Sequence, residues 1–96
     1  MGYQLSERAA QDLEGLYFWG LGRFGEEQAD SYAQGLVGVL EQIGDTPTLY
    51  QTVDWIRAGY RRAIYRSHAV FYVVMPNGDA LIIRILGKQE LGSALS

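Results

Sequence analysis

The spacing of apolar residues changes once along this chain, and that change constrains the fold more than any other feature. From Ala9 to Ile43 apolar residues recur every three or four positions, as on one face of a helix. From Tyr60 onward they gather in runs rich in aromatic and β-branched side chains, the composition of strands. A helical half followed by a strand half, in 96 residues, fits one compact domain spanning 1–96.

Tyr3-Gln-Leu5 alternates and reads as a short edge strand. Ser6 is placed to cap a helix, with Glu7 in the first turn where a carboxylate suits the helix dipole. Ala9, Leu13, Leu16, Tyr17, Leu21 and Phe24 form its apolar face, widened by Phe18 and Trp19. Gly20 and Gly22 weaken the helix and Gly25 ends it. A second helix opens at Glu26-Glu27 and carries Ala29, Tyr32, Ala33, Leu36, Val37, Leu40 and Ile43 inward, until Gly44-Asp45-Thr46-Pro47 stops it. So short a link predicts an antiparallel helical hairpin. Gly35 and Gly38 weaken that second helix and are read as points of close packing.

Residues 48–56 read as a connecting loop. Tyr60 to Arg66 and His68 to Met75 read as strands, with Ser67 the one turn-like residue between them. Pro76-Asn77-Gly78-Asp79 predicts a hairpin turn into a last strand, Ala80 to Leu86. The tail from Gly87 to Ser96 is small and polar and is expected to be mobile without a partner. The resulting order, β-α-α-β-β-β, is an α+β fold with a helical hairpin packed on an antiparallel sheet.

Charge divides along the same line. Residues 1–56 carry −7 and residues 57–96 carry +4, within a net charge of −3. Four arginines, Arg57, Arg61, Arg62 and Arg66, crowd into twelve residues that end at His68, the only histidine. Strand alternation puts Arg62 and Arg66 on one face and Arg61 and Tyr65 on the other, with Arg84 and His68 near the first set if register allows. Guanidinium forks suit phosphates or carboxylates. The plainer alternative is that individual arginines cover sheet edges or pair with the eleven carboxylates.

Several chemistries are disfavoured. The chain has no cysteine, which removes disulfides and Cys-based metal sites, and a lone histidine does not make a zinc site. No metal and no cofactor are expected. Gly20-Leu-Gly22-Arg-Phe-Gly25 has GxGxxG spacing, but it closes a helix, whereas a dinucleotide loop must open one. His68 has no matching carboxylate nearby in sequence and reads as a strand-start residue; Ser67 beside it should point to the opposite face. No catalytic residue is therefore assigned. Trp19 fits either burial or an anchor in a partner's groove. No signal-like N-terminal segment and no apolar run of about 20 residues occur, so a soluble cytoplasmic chain without a membrane partner is expected.

The arrangement resembles the ParE branch of the RelE/ParE toxin superfamily. The residues that carry the likeness are Gly25-Glu-Glu-Gln-Ala29-Asp-Ser-Tyr32, then Leu40, Ile43 and Pro47, then Arg57-Ala-Gly59-Tyr-Arg61-Arg62, His68-Ala-Val-Phe71-Tyr72 and Ile83-Arg84-Ile85-Leu86. The resemblance implies the toxin of a type II toxin–antitoxin pair, one that inhibits DNA gyrase by binding. It also implies a ParD-like antitoxin that wraps the helical hairpin and reaches the sheet, with DNA contacted only through that antitoxin. On this reading Trp19, Arg57, Arg61, Arg62, Arg66 and Arg84 meet the antitoxin. Arg62, Arg66, Arg84 and Lys88 meet the target.

RelE-like relatives instead cleave mRNA on the ribosome with several Lys and Arg and a C-terminal tyrosine. This chain has one lysine, Lys88, and no tyrosine after Tyr72, which favours the gyrase-directed branch. One departure stands out: Gly87-Lys88-Gln89-Glu90 follows the last strand where many family members carry a histidine.

Overall fold

The computed structural model describes residues 2–87. In chain order they form β1 (Tyr3–Leu5), α1 (Glu7–Phe24), α2 (Glu26–Asp45), β2 (Arg61–Tyr65), β3 (His68–Val74) and β4 (Ala80–Gly87). The four strands make one sheet in the order β1-β4-β3-β2. Its β2-β3-β4 part is antiparallel as expected, while β1 joins the edge of β4 in parallel, so the sheet is mixed. Among the described residues, no helix is long and apolar enough to cross a membrane.

Ser6 caps α1 by accepting from the Ala9 amide at 3.0 Å. The same residue fastens the helix start to β4, donating from Oγ to the Ile83 carbonyl and from its amide to that of Ile82. Gly25 closes α1 and opens α2 at φ 89°, a conformation that side chains disfavour, so the helical hairpin turns on one residue. α1 runs unbroken through Gly20 and Gly22. The inner faces of both helices meet the sheet in a core of Ala9, Leu36, Leu40, Ile43, Ala63, Val70, Tyr72, Ala80, Ile82 and Ile85. Tyr72 enters it with its hydroxyl, which donates to the Pro47 carbonyl at 2.6 Å.

Gly35 is a point of close packing, as expected: a Cβ there would lie 2.0 Å from the Tyr65 hydroxyl. Gly38 is not, because it is exposed with nothing within 4 Å of such a Cβ. Phe24, assigned to the apolar face by its spacing, also lies exposed, since it falls in the last turn beyond the sheet.

Residues 48–56 do more than connect. Val53 is fully buried, and with Ile56 and Tyr60 it packs on Ala69, Phe71 and Leu86. Those β3 residues alternate with Val70 and Tyr72, so this second cluster lies on the face of the sheet away from the helices. A bridge between Thr52 and Arg61, and the Arg62 amide donating to Gln51, lay the segment along the start of β2.

The β3–β4 register slips between Phe71 and Tyr72, which pair with Arg84 and Ile82 respectively. Ile83 is the extra residue of this bulge. Its insertion lets Ile82 and Ile85, three apart, serve the same core.

Candidate functional site

The second half of α1, the first half of α2 and the β2–β3 turn enclose a groove. It consists of two adjoining hollows of about 450 and 500 Å³ that share Leu16, Trp19, Ser67 and His68. Trp19 stands between them, 58% exposed, with the edge of Phe24 against it at 5.8 Å between ring centres. The Arg23 guanidinium lies 5.1 Å from the Trp19 ring centre. Trp19 and Phe24 thus lay a bare aromatic surface along the groove.

The polar side of the groove is a cluster that ties α2 to the turn. The Tyr32 hydroxyl is hydrogen-bonded to His68 Nδ1 at 2.7 Å and lies 3.3 Å from Ser67 Oγ. The Tyr32 ring meets Tyr65 and His68 edge-on, at 5.1 and 5.5 Å between centres. His68 opens β3, as its sequence position suggested. Ser67, however, does not point away from it: Ser67 Oγ is 3.4 Å from His68 Nδ1. The alternation argument fails there because Ser67 lies in the turn and not on a strand. The separation still exceeds the ~2.6–3.2 Å of an activated nucleophile–base pair, and Tyr32 stands nearer that nitrogen. Tyr32 reads in the sequence as core, on the inner face of α2, and only the tertiary fold brings it to the turn.

The arginines do not form one strip. Arg66 is not on the face of Arg62; with Ser67 it makes the turn, at φ 52°, and its guanidinium lies over the Tyr65 ring at 5.5 Å. Ending β2 at Tyr65 is what removes it from the alternation. Arg61 donates to the carbonyls of Tyr50 (2.7 Å) and Thr48 (3.4 Å), holding the segment that follows α2. Arg62 is half-buried on β2, opposite Phe71. Arg57 is exposed in the segment over the outer face.

Arg84 also pairs with Phe71 in register, but its side chain is bound to α1: Nε and Nη2 donate to Asp12 at 2.7 and 3.0 Å. The Ile85 amide donates to the same carboxylate at 3.0 Å, and both ion-pair side chains are 16% exposed. Asp12 thereby seals the edge of β4 past β1. Lys88 lies outside the described residues. Of the expected contact residues, Trp19 and Arg66 share the groove; Arg57, Arg61, Arg62 and Arg84 are dispersed around the sheet.

On α1, Tyr17 donates a hydrogen bond to Asp30 of α2. That bond to a carboxylate is the main reason its phenol is held above the ordinary value of 10.0. Burial is the main reason the Tyr72 phenol is likewise raised. Neither faces the groove. Among the described residues no group of His, Asp and Glu could hold a metal ion. The groove offers ring faces, hydroxyls and the exposed guanidinium of Arg66, with that of Arg23 beside Trp19.

Helical hairpin and mixed sheet together define a small α+β protein. A chain of the chromosomal ParDE toxin–antitoxin system of P. aeruginosa has this fold, with a TM-score of 0.79, 20% identity, and coverage of 91% of this chain and 95% of that one. The family model for the ParE toxin of the type II toxin–antitoxin system parDE matches residues 3–92. Toxin ParE1 of Caulobacter vibrioides is 42% identical over 84 residues, 88% of this chain and 85% of that protein. Toxin ParE1 of Mycobacterium tuberculosis is 32% identical over 87 residues, covering 91% and 89%. The chain belongs to the ParE toxin family of type II toxin–antitoxin systems.

Proposed function

We propose that this protein acts by binding and not by cutting: free, it inhibits DNA gyrase in the cytoplasm, and a ParD-like antitoxin neutralises it. The observation that carries the antitoxin half is the groove, where exposed Trp19 and Phe24 adjoin the exposed Arg66 turn. An amphipathic antitoxin segment with an apolar face and a carboxylate fits that combination. Family membership and the dispersed arginines support gyrase as the target, with Arg62, Arg66, Arg84 and Lys88 as the proposed contact residues. DNA is reached only through the antitoxin.

Two assays test this reading. Purified chain should block gyrase supercoiling in proportion to its amount, and the antitoxin encoded beside it should relieve the block at a fixed ratio. Supercoiling that proceeds untouched at high excess would remove gyrase from the proposal. Site-specific cuts in ribosome-bound mRNA would replace it with a ribonuclease. Arg66→Glu should weaken antitoxin binding, by under ~1 kcal/mol if the pair stays solvated and by several if it is buried on docking.

A further inference from the structure

Asn77 is the only asparagine of the chain, and a glycine follows it in an exposed turn. That pair is chemically labile. The main-chain nitrogen after an asparagine can attack its side-chain amide, and glycine puts no Cβ in the way. Here the hydrogen bonds of the turn oppose that reaction. The Gly78 amide donates to the Met75 carbonyl at 2.8 Å, with Gly78 at φ 91°. Asn77 Oδ1 accepts from the Asp79 amide at 3.0 Å, and Nδ2 donates to Asp79 Oδ2 at 3.4 Å. The attacking nitrogen and the amide it would attack are both engaged elsewhere.

Asp79 carries this hold to the far end of the chain. Its Oδ1 takes the Gly2 amide at 3.1 Å, and the Ala80 amide donates to the Gly2 carbonyl at 3.1 Å. One carboxylate thus clasps the start of β1 and steadies the asparagine, so the turn and the β1–β4 junction share a fastening.

We propose that Asn77 is a site of spontaneous deamidation and backbone isomerisation, held in check by the Gly2–Asp79 clasp and destructive of that clasp once it has occurred. In the opened turn the Gly78 nitrogen, its proton taken by hydroxide, bonds to Asn77 Cγ. The Cγ–Nδ2 bond breaks, and Nδ2 leaves as ammonia with a proton from water. Water then opens the five-membered imide. Cleavage of the N–Cγ bond leaves aspartate; cleavage at the main-chain carbonyl leaves isoaspartate, with the chain running through Cβ. In sum one water is taken up and one ammonia released, with no change of oxidation state. Either product sets a second carboxylate beside that of Asp79, which like charges oppose. Isoaspartate also adds a methylene between Met75 and Asp79, whose amide-to-carbonyl bond of 2.8 Å closes the turn. The start of β1 then loses its hold. The inference stands whether or not gyrase is the target.

The test ages three samples side by side in mildly alkaline buffer: the full chain, a blocked peptide of residues 74–81, and Gly2→Pro. That variant removes the donor to Asp79 at a place where a Cβ would meet nothing within 4 Å. Mass spectrometry of digests follows the replacement of NH2 by OH at Asn77, and methyl transfer by an isoaspartate methyltransferase counts the isomerised form. The folded chain should react at Asn77 about tenfold or more slowly than the peptide, because its turn must first open. Gly2→Pro, shown folded by circular dichroism, should react at least about threefold faster than the natural chain. Should it fail to fold, Asp79→Ala decides in its place against its own peptide, since it frees the same contacts and spares the main-chain bonds of the turn. In isomerised chain separated by ion exchange, the Ala80 amide should exchange hydrogen about tenfold faster. An unreacted Asn77 in the folded chain, a rate equal to the peptide's, no response to loss of the clasp, or an Ala80 amide as protected after isomerisation as before would overturn the proposal.

Discussion

Replacing Gly35 with alanine should reverse its effect on stability according to what stands at position 65. In a helix interior the change alone gains up to about 1 kcal/mol, because glycine sacrifices more backbone freedom than alanine. Here the added Cβ would lie 2.0 Å from the Tyr65 hydroxyl oxygen, 2.7 Å from Cζ and 3.3 Å from Cε1. The first two fall far inside the ~3.5–4.0 Å of favourable carbon contact. Tyr65 cannot simply swing aside, since Tyr32 meets its ring edge-on and Arg66 covers it. Overpacking of this kind costs about 1–3 kcal/mol, and displacing an aromatic ring held by two neighbours belongs at the upper end.

Gly35→Ala should therefore lose about 2 kcal/mol net in the natural chain. In a Tyr65→Ala background all three close atoms are gone, and the same change should gain up to about 1 kcal/mol. Urea unfolding of the four chains closes the cycle, with an expected coupling of about 3 kcal/mol. Sucrose can raise all four curves if the doubly changed chain is marginal. Equal cost in both backgrounds, or a gain in the natural one, would refute the account of why α2 carries a glycine there.

Asp12→Ala removes the acceptor for Arg84 and for the Ile85 amide; it should destabilise the fold by about 2–3 kcal/mol and speed amide exchange at Ile85, read by urea unfolding and NMR. Tyr72→Phe leaves the Pro47 carbonyl without its donor and should cost about 1–2 kcal/mol near neutrality. Because burial raises the Tyr72 phenol, folding favours its protonated form: that contribution is whole below the ordinary value of 10.0 and is lost as pH rises through the raised one. The variant's stability should thus fall less steeply above pH 10, with Tyr17 keeping part of the slope. Trp19→Ala, at an exposed position, should leave unfolding within about 0.5 kcal/mol but weaken antitoxin binding by more than about 1 kcal/mol, measured by calorimetry.

Local chemistry announced the elements of this fold. Ser6, Gly25 and the Asn77-Gly78 turn each impose a boundary through their own backbone preferences, and all three boundaries stand where they were read. The site was less legible, because its parts meet by tertiary placement. No local pattern marks Ile83 as the extra residue of a bulge, so the binding of Arg84 to Asp12, 72 positions away, was hidden. Arg66 reads as strand in the sequence because nothing in its type signals a positive φ. Nothing local marks Val53 and Ile56 as core, because residues 48–56 show no period, though they help bury a cluster of their own.

The junction of β1 with β4 bears on how the protein comes into being. The Gly2 amide donates to Asp79, the Ala80 amide to Gly2, and Ser6 bonds to both Ile82 and Ile83, so the first strand is fastened to partners about 77 positions later. Closing so wide a loop is slow, and a chain emerging from a ribosome exposes its first half before the second exists. Until β4 is made, Leu36, Leu40 and Ile43 lack the part of their core that Ala80, Ile82 and Ile85 supply. A nascent chain halted before Ala80 has no place to dock β1 and no β4 edge for Asp12 to seal. The contacts that fix β1 and the start of α1 therefore form only after the last strand has been translated.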